Sequence, residues 1–264
     1  MDNQYIPKDD MREVNRLKRL GESVKEISID AILKSGFSSK QNILDIGCGI
    51  GTLSNEMAKI NSQATITGVD ISNKFIEYAK AHILDTRVNF VQSSADNLPF
   101  PDNSFDFVVC RFLLEHVNDR IKTINEIKRV LKIGGVILAI ETDWQGQMMY
   151  PECKWYTKLN GIAYRLQKIK GGDVYIGRKI NHLFYKLNFT IIDFYCEMNV
   201  YRSNQTNIGK DKINGRLEIF EKIMRNKKIL WFFLKQCIRK IHVFMEKDEW
   251  ILTDCRYILI AKKE

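Results

Sequence analysis

A short apolar run that leads into a glycine-rich turn and then a helical pattern constrains this chain more than any other feature. The stretch ILDIGCGIGTLS, residues 43–54, has glycine at every second position, at Gly47, Gly49 and Gly51. Such glycines remove side chains from one face of a loop and allow positive φ, so a ligand can approach the backbone. A strand, a glycine turn and a helix form the first unit of a doubly wound α/β domain, whose ligands bind beyond the carboxyl ends of the strands. The third glycine comes one residue too early for the dinucleotide fingerprint G-x-G-x-x-G.

The segments after this turn alternate between helical and strand periodicity. Helical patterns are found at 53–60, 72–83 and 120–131. Strand-like runs are found at 64–70, 88–92, 105–112 and 136–141, the last of them after a turn at Gly134–Gly135. Later patterns predict helices at 155–168 and 177–189 and strands at 190–201 and 255–263. Strands that alternate with helices predict a parallel sheet.

Length and composition favour a single domain. With 264 residues, of which 45% are hydrophobic, the chain can bury one sizeable core and accommodate an insertion. The six cysteines lack any regular spacing and are predicted to be reduced core thiols, not disulfide or metal ligands. The polar N-terminus lacks a signal-peptide core, and no apolar run approaches the ~20 residues of a membrane span. We therefore expect a cytoplasmic protein.

The positive charge is concentrated near the C-terminus. The net charge is +9, and residues 210–248 contain eleven basic against five acidic side chains. Within this segment, residues 229–245 keep helical spacing of apolar positions with basic residues on the other side. We favour a lid or packing helix with a solvated charged face. A basic amphipathic helix can also bind a membrane surface or a partner protein.

An acidic residue after the second predicted strand indicates the class of ligand. Asp70 closes the stretch TGVD, nineteen positions beyond Gly51. A carboxylate at this place can accept two hydrogen bonds from the hydroxyl groups of a ribose. The glycine turn and Asp70 together predict a nucleoside-containing ligand.

Four stretches together resemble the class I S-adenosylmethionine-dependent methyltransferases that act on small molecules. They are ILDIGCGIGTLS, GVDIS, VQSSADNLPFPDNSFDFVVCRFLLEHVND and IKRVLKIGGVILAIETDW, in order over residues 42–144. The later stretches YIGRKINHLFYKLNF and CRYILIAKK also resemble that family, and residues 210–249 are its least typical part. The resemblance implies a Rossmann-like α/β fold with a doubly wound, mostly parallel seven-stranded sheet. The last strand is expected to be antiparallel and preceded by a helical insertion.

The resemblance divides the chain, as one methyltransferase domain over 1–264, into five segments. These are an N-terminal helical cap (1–40), a cofactor-binding core (41–144), a substrate-side segment with a later strand (145–202), a helical insertion (203–249) and the last strand (250–264). A homodimer formed through the insertion is left open. The acceptor is expected to be a small molecule.

The resemblance also implies S-adenosylmethionine as the cofactor and S-adenosylhomocysteine as the product. Asp45 would face the amino group of the cofactor, and Asp70 would bind its ribose. Ser94 departs from the family pattern before Ala95, so either Ser94 or Asp96 would meet the adenine amine. The full set of implied cofactor-binding residues is Asp45, Gly47, Cys48, Gly49, Gly51, Asp70, Ile71, Ser94, Ala95, Asp96 and Arg111.

His116 is the candidate general base, because it lies in the loop after the fourth predicted strand. A packing role for this loop histidine is the alternative. The residues expected to wall the substrate pocket are Tyr5, Asp143, Trp144, Tyr150 and Tyr175.

Three other functions compete with this prediction. The glycine spacing argues against a nicotinamide oxidoreductase. A nucleic-acid methyltransferase fits the positive charge, but the chain has no Asn-Pro-Pro-aromatic motif for a flipped base. A non-catalytic subunit that binds a partner through residues 229–245 would have no need of Gly47, Gly49, Gly51 and Asp70 together.

Overall fold

Eight strands form one mixed sheet in the part of the chain that the computed structural model describes, namely residues 11–203, 210, 213–214, 217, 228–246 and 249–264. The strands are β1 (Asn42–Ile46), β2 (Thr65–Asp70), β3 (Val88–Gln92), β4 (Phe105–Arg111), β5 (Leu131–Asp143), β6 (Met149–Tyr150), β7 (Phe189–Arg202) and β8 (Ile251–Lys263). The α-helices described are α1 (Met11–Ser23), α2 (Lys25–Lys34), α3 (Thr52–Ile60), α4 (Asn73–His82), α5 (Arg120–Val130), α6 (Lys154–Ile169), α7 (Ile176–Lys186) and α8 (Lys228–Met245).

The sheet has the order β3-β2-β1-β4-β5-β8, and β7 and the two-residue β6 also pair with β8. The strands β1 to β5 are parallel to one another, whereas β8 is antiparallel to β5, β6 and β7. The predicted fold class is thereby confirmed, including the antiparallel last strand, and the two-residue β6 makes the sheet eight-stranded where seven strands were predicted. The strand order reverses between β1 and β4, and the carboxyl ends of strands at such a switch point form the ligand crevice of an open α/β sheet.

Side-chain caps fix the starts of two crossover helices. The Ser72 hydroxyl accepts the Phe75 N–H at the start of α4, and the Asp119 carboxylate accepts the Lys122 N–H at the start of α5. Both residue types are favoured at N-caps because their side-chain oxygens satisfy N–H groups that have no partner within the helix. These caps therefore fix where the loop after β2 and the loop after β4 end, at the edge of the crevice.

The fifth strand is longer than the sequence predicts. The expected turn at Gly134–Gly135 lies inside β5, which already begins at Leu131. Leu131 is aligned with Phe105, and the register shifts between Phe105 and Phe107. The pairing of Leu131 with β4 extends the strand before the glycines, and the other end of β5 extends to Asp143. A further difference is that α7 ends at Lys186, so that Phe189 begins β7.

Apolar side chains bury both faces of the sheet and also join α6 to α8. Met57 and Phe107 lie in the cluster on one face, and Phe184 lies in the cluster on the other. A separate cluster unites Tyr156 and Leu159 of α6 with one side of α8. None of the described helices is long and apolar enough to cross a membrane.

The cysteine prediction holds for five of the six thiols. All six are free, and all but Cys196 are buried. Cys196 is exposed because it lies on β7, which pairs with β8 alone among the described strands.

Candidate functional site

A cavity of about 540 Å³ opens at the carboxyl ends of β1 and β4. Its walls come from the glycine turn, the ends of β2 and β3, the loop after β4, the helix α1 and the end of α6. Volumes of about 300–1,000 Å³ are typical of small-molecule sites. The cavity therefore occupies the place that the topology predicts for a ligand.

The glycine turn is hydrogen-bonded to β2 on one side, and its opposite side faces the cavity. The N–H groups of Gly47 and Cys48 donate to the Val69 carbonyl at 2.7 and 3.0 Å. Gly49 has φ +56°, and a Cβ added there would meet only Leu17 across the cavity, at 3.7 Å. Any longer side chain at Gly49 would therefore fill space that a ligand can use.

Gly51 differs from the other two glycines because it faces the core. It caps α3 with φ +78°, and an added Cβ would lie 2.6 Å from Phe90 and 2.5 Å from Ile83. Gly51 is not among the described residues that line the cavity. The structure thus assigns Gly51 to helix packing, in contrast with the cofactor contact implied by the resemblance.

The carboxylate of Asp70 is fixed at the cavity wall where β2 ends. One oxygen accepts the Gly49 N–H at 2.9 Å, and the other accepts the Ser72 N–H at 2.9 Å. The side chain therefore bridges the glycine turn and the start of α4. This arrangement orients the carboxylate before any ligand binds.

Asp45 is a buried carboxyl group that also lines the cavity. Burial raises its pKa to about 6, although the Ser54 hydroxyl, which donates to it at 2.6 Å, and the Arg111 guanidinium both favour the charged form. Arg111 donates to the hydroxyls of Ser28 on α2 and Thr52 on α3, at 3.0 and 3.3 Å. Burial lowers the pKa of Arg111 to about 10, so it still carries a positive charge at neutral pH.

The loop after β3 places Ser94, Ala95 and Asp96 at the cavity. The Ser94 hydroxyl donates to the Asp96 carboxylate at 2.5 Å, and this bond lowers the pKa of Asp96. Because this hydrogen bond holds the two side chains together at the cavity, both remain candidates for a contact with the adenine amine. Cys48 and Ile71 also line the cavity. The structure thus brings together ten of the eleven implied cofactor-binding residues.

Glu141 supports the loop that follows β4. It is fully buried, and one of its oxygens accepts the N–H groups of Leu113 and Leu114 at 3.0 and 2.7 Å. Its other oxygen has no hydrogen-bond partner among the described residues. Burial first, and then the nearby charge of Glu115, raise the pKa of Glu141 well above its usual value. A buried carboxyl group therefore holds this loop in place.

Glu115 and His116 form a hydrogen-bonded pair on the same loop, and both line the cavity. His116 Nε2 lies 3.2 Å from Glu115 Oε1, and the other Glu115 oxygen accepts from Thr142 and Trp144 at 2.7 and 2.9 Å. Burial acts to raise the pKa of Glu115, but His116 and these hydrogen bonds outweigh burial and lower it. Glu115 is therefore an ionised carboxylate beside the candidate base.

Gln167 of α6 fixes the tautomer of His116. Its Nε2 lies 2.8 Å from His116 Nδ1 and also donates to the Glu115 carbonyl at 3.2 Å. Because the carbonyl can only accept, this amide nitrogen is the donor group, and Nδ1 must accept from it. The ring proton is then on Nε2 and points to Glu115. Nδ1 can take a proton only after Gln167 has withdrawn or turned.

The four expected substrate residues that the structure describes lie outside the cavity wall. The described residues that line it do not include Asp143, Trp144, Tyr150 or Tyr175, and Tyr5 lies outside the described part of the chain. Asp143 is buried and ion-paired with Arg178, and Tyr150 is 73% exposed on β6. Asp143 is the last residue of β5, two residues beyond the predicted end of that strand. Trp144 reaches the crevice only indirectly, through Glu115.

The structure adds several residues to the cavity that sequence reasoning missed. They are Glu115, Asn118, Gln167 and Lys170, together with Arg16, Leu17 and Leu20 of α1. Glu115 lies inside a quoted family stretch and could have been found from its place beside His116. Gln167 and Lys170 gave no such signal, because their approach depends on how α6 packs.

Sequence comparison shows which known proteins this site resembles. Residues 44–139, which run from β1 into β5, match the family profile described as a methyltransferase domain. The chain is 34% identical over 122 residues to a ubiquinone/menaquinone biosynthesis C-methyltransferase of Hahella chejuensis, covering 44% of this chain and 48% of the relative. It is also 34% identical over 137 residues to a demethylmenaquinone methyltransferase of Staphylococcus saprophyticus, covering 51% and 57%. These matches support the resemblance to the class I S-adenosylmethionine-dependent methyltransferases that the sequence motifs predict.

The region that matches the methyltransferase profile includes the glycine turn, Asp70 and the Glu115–His116 pair. The matches span about half the length of the curated relatives. A phosphoethanolamine N-methyltransferase of Haemonchus contortus, solved with S-adenosylhomocysteine, has a TM-score of 0.56 at 21% identity, covering 90% of this chain and 52% of that one. The [4+2]-cyclase SpnF has a TM-score of 0.62 at 20% identity, covering 92% and 82%. These two likenesses concern the fold alone.

Proposed function

We propose that the protein transfers a methyl group from S-adenosylmethionine to oxygen, nitrogen or carbon of a small-molecule acceptor. One observation supports the proposal. The backbone of Gly49 and the carboxylates of Asp45 and Asp70 line the same cavity, and all three residues lie in the region that matches the methyltransferase profile. Residues 41–144 would then bind the cofactor, and residues 145–202 would contribute to the acceptor side. A fold shared with a cyclase cannot by itself decide the reaction.

The donor groups in the cavity suit the parts of this cofactor. Asp70, held by two N–H groups, would accept the ribose hydroxyls, and Asp45 would face the cationic amino group. Ser94 or Asp96 would accept the adenine amine. S-adenosylmethionine supplies a methyl group on a positively charged sulfur, so the protein contributes mainly alignment and exclusion of water.

The Glu115–His116 pair is the part of the cavity able to remove a proton from an acceptor. His116 Nδ1 would take the proton once Gln167 has released it, and the Glu115 carboxylate would stabilise the resulting imidazolium. The curated relatives are named for methylation in quinone biosynthesis. A demethylated quinone is therefore the first acceptor to test, ahead of a wider screen of metabolites with methyl transfer as the readout.

Calorimetric titration of the protein with S-adenosylmethionine, and separately with NADH, tests the cofactor assignment. We expect saturable binding of the former alone. Asp70→Asn should weaken that binding by roughly 10- to 100-fold, since hydrogen bonds to a charged group contribute about 1.5–3 kcal/mol. Asp30→Asn, at an exposed position of α2, is the matched control. Unchanged affinity in Asp70→Asn would remove this residue from the site, and binding of NADH alone would refute the proposed function.

A further inference from the structure

The packed helices α6 and α8 carry basic residues and no acidic ones. In α6 they are Lys154, Lys158, Arg165 and Lys168. In α8 they are Lys228, Lys235, Arg239 and Lys240. Together the two helices hold eight of the chain's 41 Lys and Arg residues and none of its 32 Asp and Glu residues. A merely solvated surface usually mixes both signs of charge, so this concentration requires an explanation.

The basic residues of the two helices point to one common surface. The Nζ atoms of Lys158 on α6 and Lys240 on α8 lie 5.0 and 4.9 Å from the centre of the same Trp155 ring. Lys154 and Arg165 are exposed, four residues before and seven after Lys158, which places all three on one face of α6. We call the exposed residues Lys154, Lys158, Arg165, Lys168, Lys235, Arg239 and Lys240 the basic face.

The same face of α8 also exposes large apolar side chains. Phe232 and Val243 are 68% and 55% exposed, and their spacing from Arg239, seven before and four after, gives one outward row. The opposite side of α8, with Leu234 and Ile241, is buried against α6. On α6, Ile169 is 80% exposed, four residues beyond Arg165. Helices that bind a membrane interface combine Lys and Arg with large apolar side chains, and the exposed side of α8 offers both.

The cavity lies on the other side of α6 from the basic face. Gln167 and Lys170, at the end of α6, line the cavity wall. Gln167 is nine residues beyond Lys158, so the two side chains leave α6 on opposite sides. A surface bound through the basic face would therefore leave the lining residues of the cavity uncovered.

We propose that the basic face docks the protein on an anionic lipid bilayer, with Phe232 and Val243 entering the headgroup region. A nucleic acid would also attract the cations, but it offers no apolar environment for exposed aliphatic groups such as Val243 and Ile169. This inference replaces the expectation of a solvated face. It goes beyond the proposed methyl transfer and does not depend on it.

Vesicle co-sedimentation of the full chain tests the proposal. We expect binding to vesicles of phosphatidylcholine mixed with phosphatidylglycerol, weaker binding at high salt, and little binding to phosphatidylcholine alone. The triple variant Lys235→Gln, Arg239→Gln, Lys240→Gln should lose about a hundredfold in partitioning. The matched control Lys74→Gln, Lys80→Gln, Lys186→Gln removes the same charge from exposed positions of α4 and α7 and should change partitioning far less. Phe232→Ser should weaken binding to anionic vesicles, and the salt dependence of that binding should remain.

Three outcomes would overturn the proposal. They are no sedimentation with anionic vesicles, an equal loss in the two triple variants, and tighter binding to duplex DNA than to vesicles in a fluorescence competition. Calorimetry with S-adenosylmethionine on the same variants separates this result from the proposed function. The triple variant on α8 should keep the cofactor affinity of the wild type, because none of its three residues lines the cavity.

Discussion

Asp45 is a buried carboxyl group whose protonation is predicted to control cofactor binding. Its pKa is raised from 3.8 to about 6, so the group becomes neutral as the pH falls through that value. If the carboxylate faces a cationic amino group, affinity for S-adenosylmethionine should fall below about pH 6, approaching tenfold per pH unit. Asp45→Asn should bind weakly, with no such slope, since an amide oxygen can still accept from Ser54. Calorimetry across pH measures both, and identical profiles for the two proteins would refute the assignment.

The tautomer of His116 is a second prediction for a single residue. Because Gln167 donates to Nδ1, the neutral ring should carry its proton on Nε2. His82 is an internal reference with the opposite tautomer. Its Nδ1 lies 2.8 Å from the Tyr78 carbonyl oxygen and must donate to it, so its ring proton is on Nδ1. Nitrogen-15 NMR of the ring nitrogens distinguishes the two forms. Gln167→Leu should give a mixture at His116 and leave His82 unchanged, whereas an Nδ1–H form of His116 in the wild type would contradict the network.

The junction between β1 and α3 depends on Gly51 for packing. Gly51→Ala should lower the free energy of unfolding, because the new Cβ would overlap Phe90 and Ile83 at a positive φ. Gly36→Ala is the matched control, since Gly36 has φ +73° and nothing within 4 Å of an added Cβ. We expect Gly51→Ala to cost about 2 kcal/mol more than the control in urea unfolding. Equal losses would mean that backbone conformation alone requires the glycine.

The elements that follow from local pattern are those that sequence reasoning places well. The strand before Gly47, the strand that ends at Asp70 and the crossover helices all have short-range signals, in periodicity and in caps such as Ser72 and Asp119. The acceptor side has no comparable signal. Gln167 reaches His116 across fifty-one positions. That contact depends on the packing of α6, which a local pattern does not encode.

The boundary of one strand explains the remaining difference at the site. Because β5 continues to Asp143, the segment predicted to wall the substrate pocket is carried past the crevice. The loop after β4, with Glu115 and His116, lines the cavity instead. A residue implied by the family pattern therefore lies at the cavity where the element boundaries agree, as at Asp70, and away from it where they shift.

At the scale of the whole molecule, one buried acid of the sheet is hydrogen-bonded to the loop after β4, and its ionisation should change the free energy of unfolding. Glu141, near the carboxyl end of β5, accepts hydrogen bonds from the N–H groups of Leu113 and Leu114, and burial raises its pKa well above 4.5. The unfolded chain ionises this group at its usual pKa. The stabilisation by neutral Glu141 is thus fully present below pH 4.5 and is lost as the pH rises towards the folded-state pKa.

Glu141→Gln should remove that pH dependence. The amide oxygen can still accept from both N–H groups, but the side chain no longer ionises in the unfolded chain. The free energy of unfolding of the wild type should therefore fall relative to that of the variant as pH rises above 4.5, by up to about 1.4 kcal/mol per pH unit. Urea unfolding at a series of pH values measures the difference, with Glu77→Gln, at an exposed position of α4, as the control. Parallel pH curves for wild type and Glu141→Gln would show that Glu141 is already ionised in the folded protein, and its buried oxygen would then need a compensating partner.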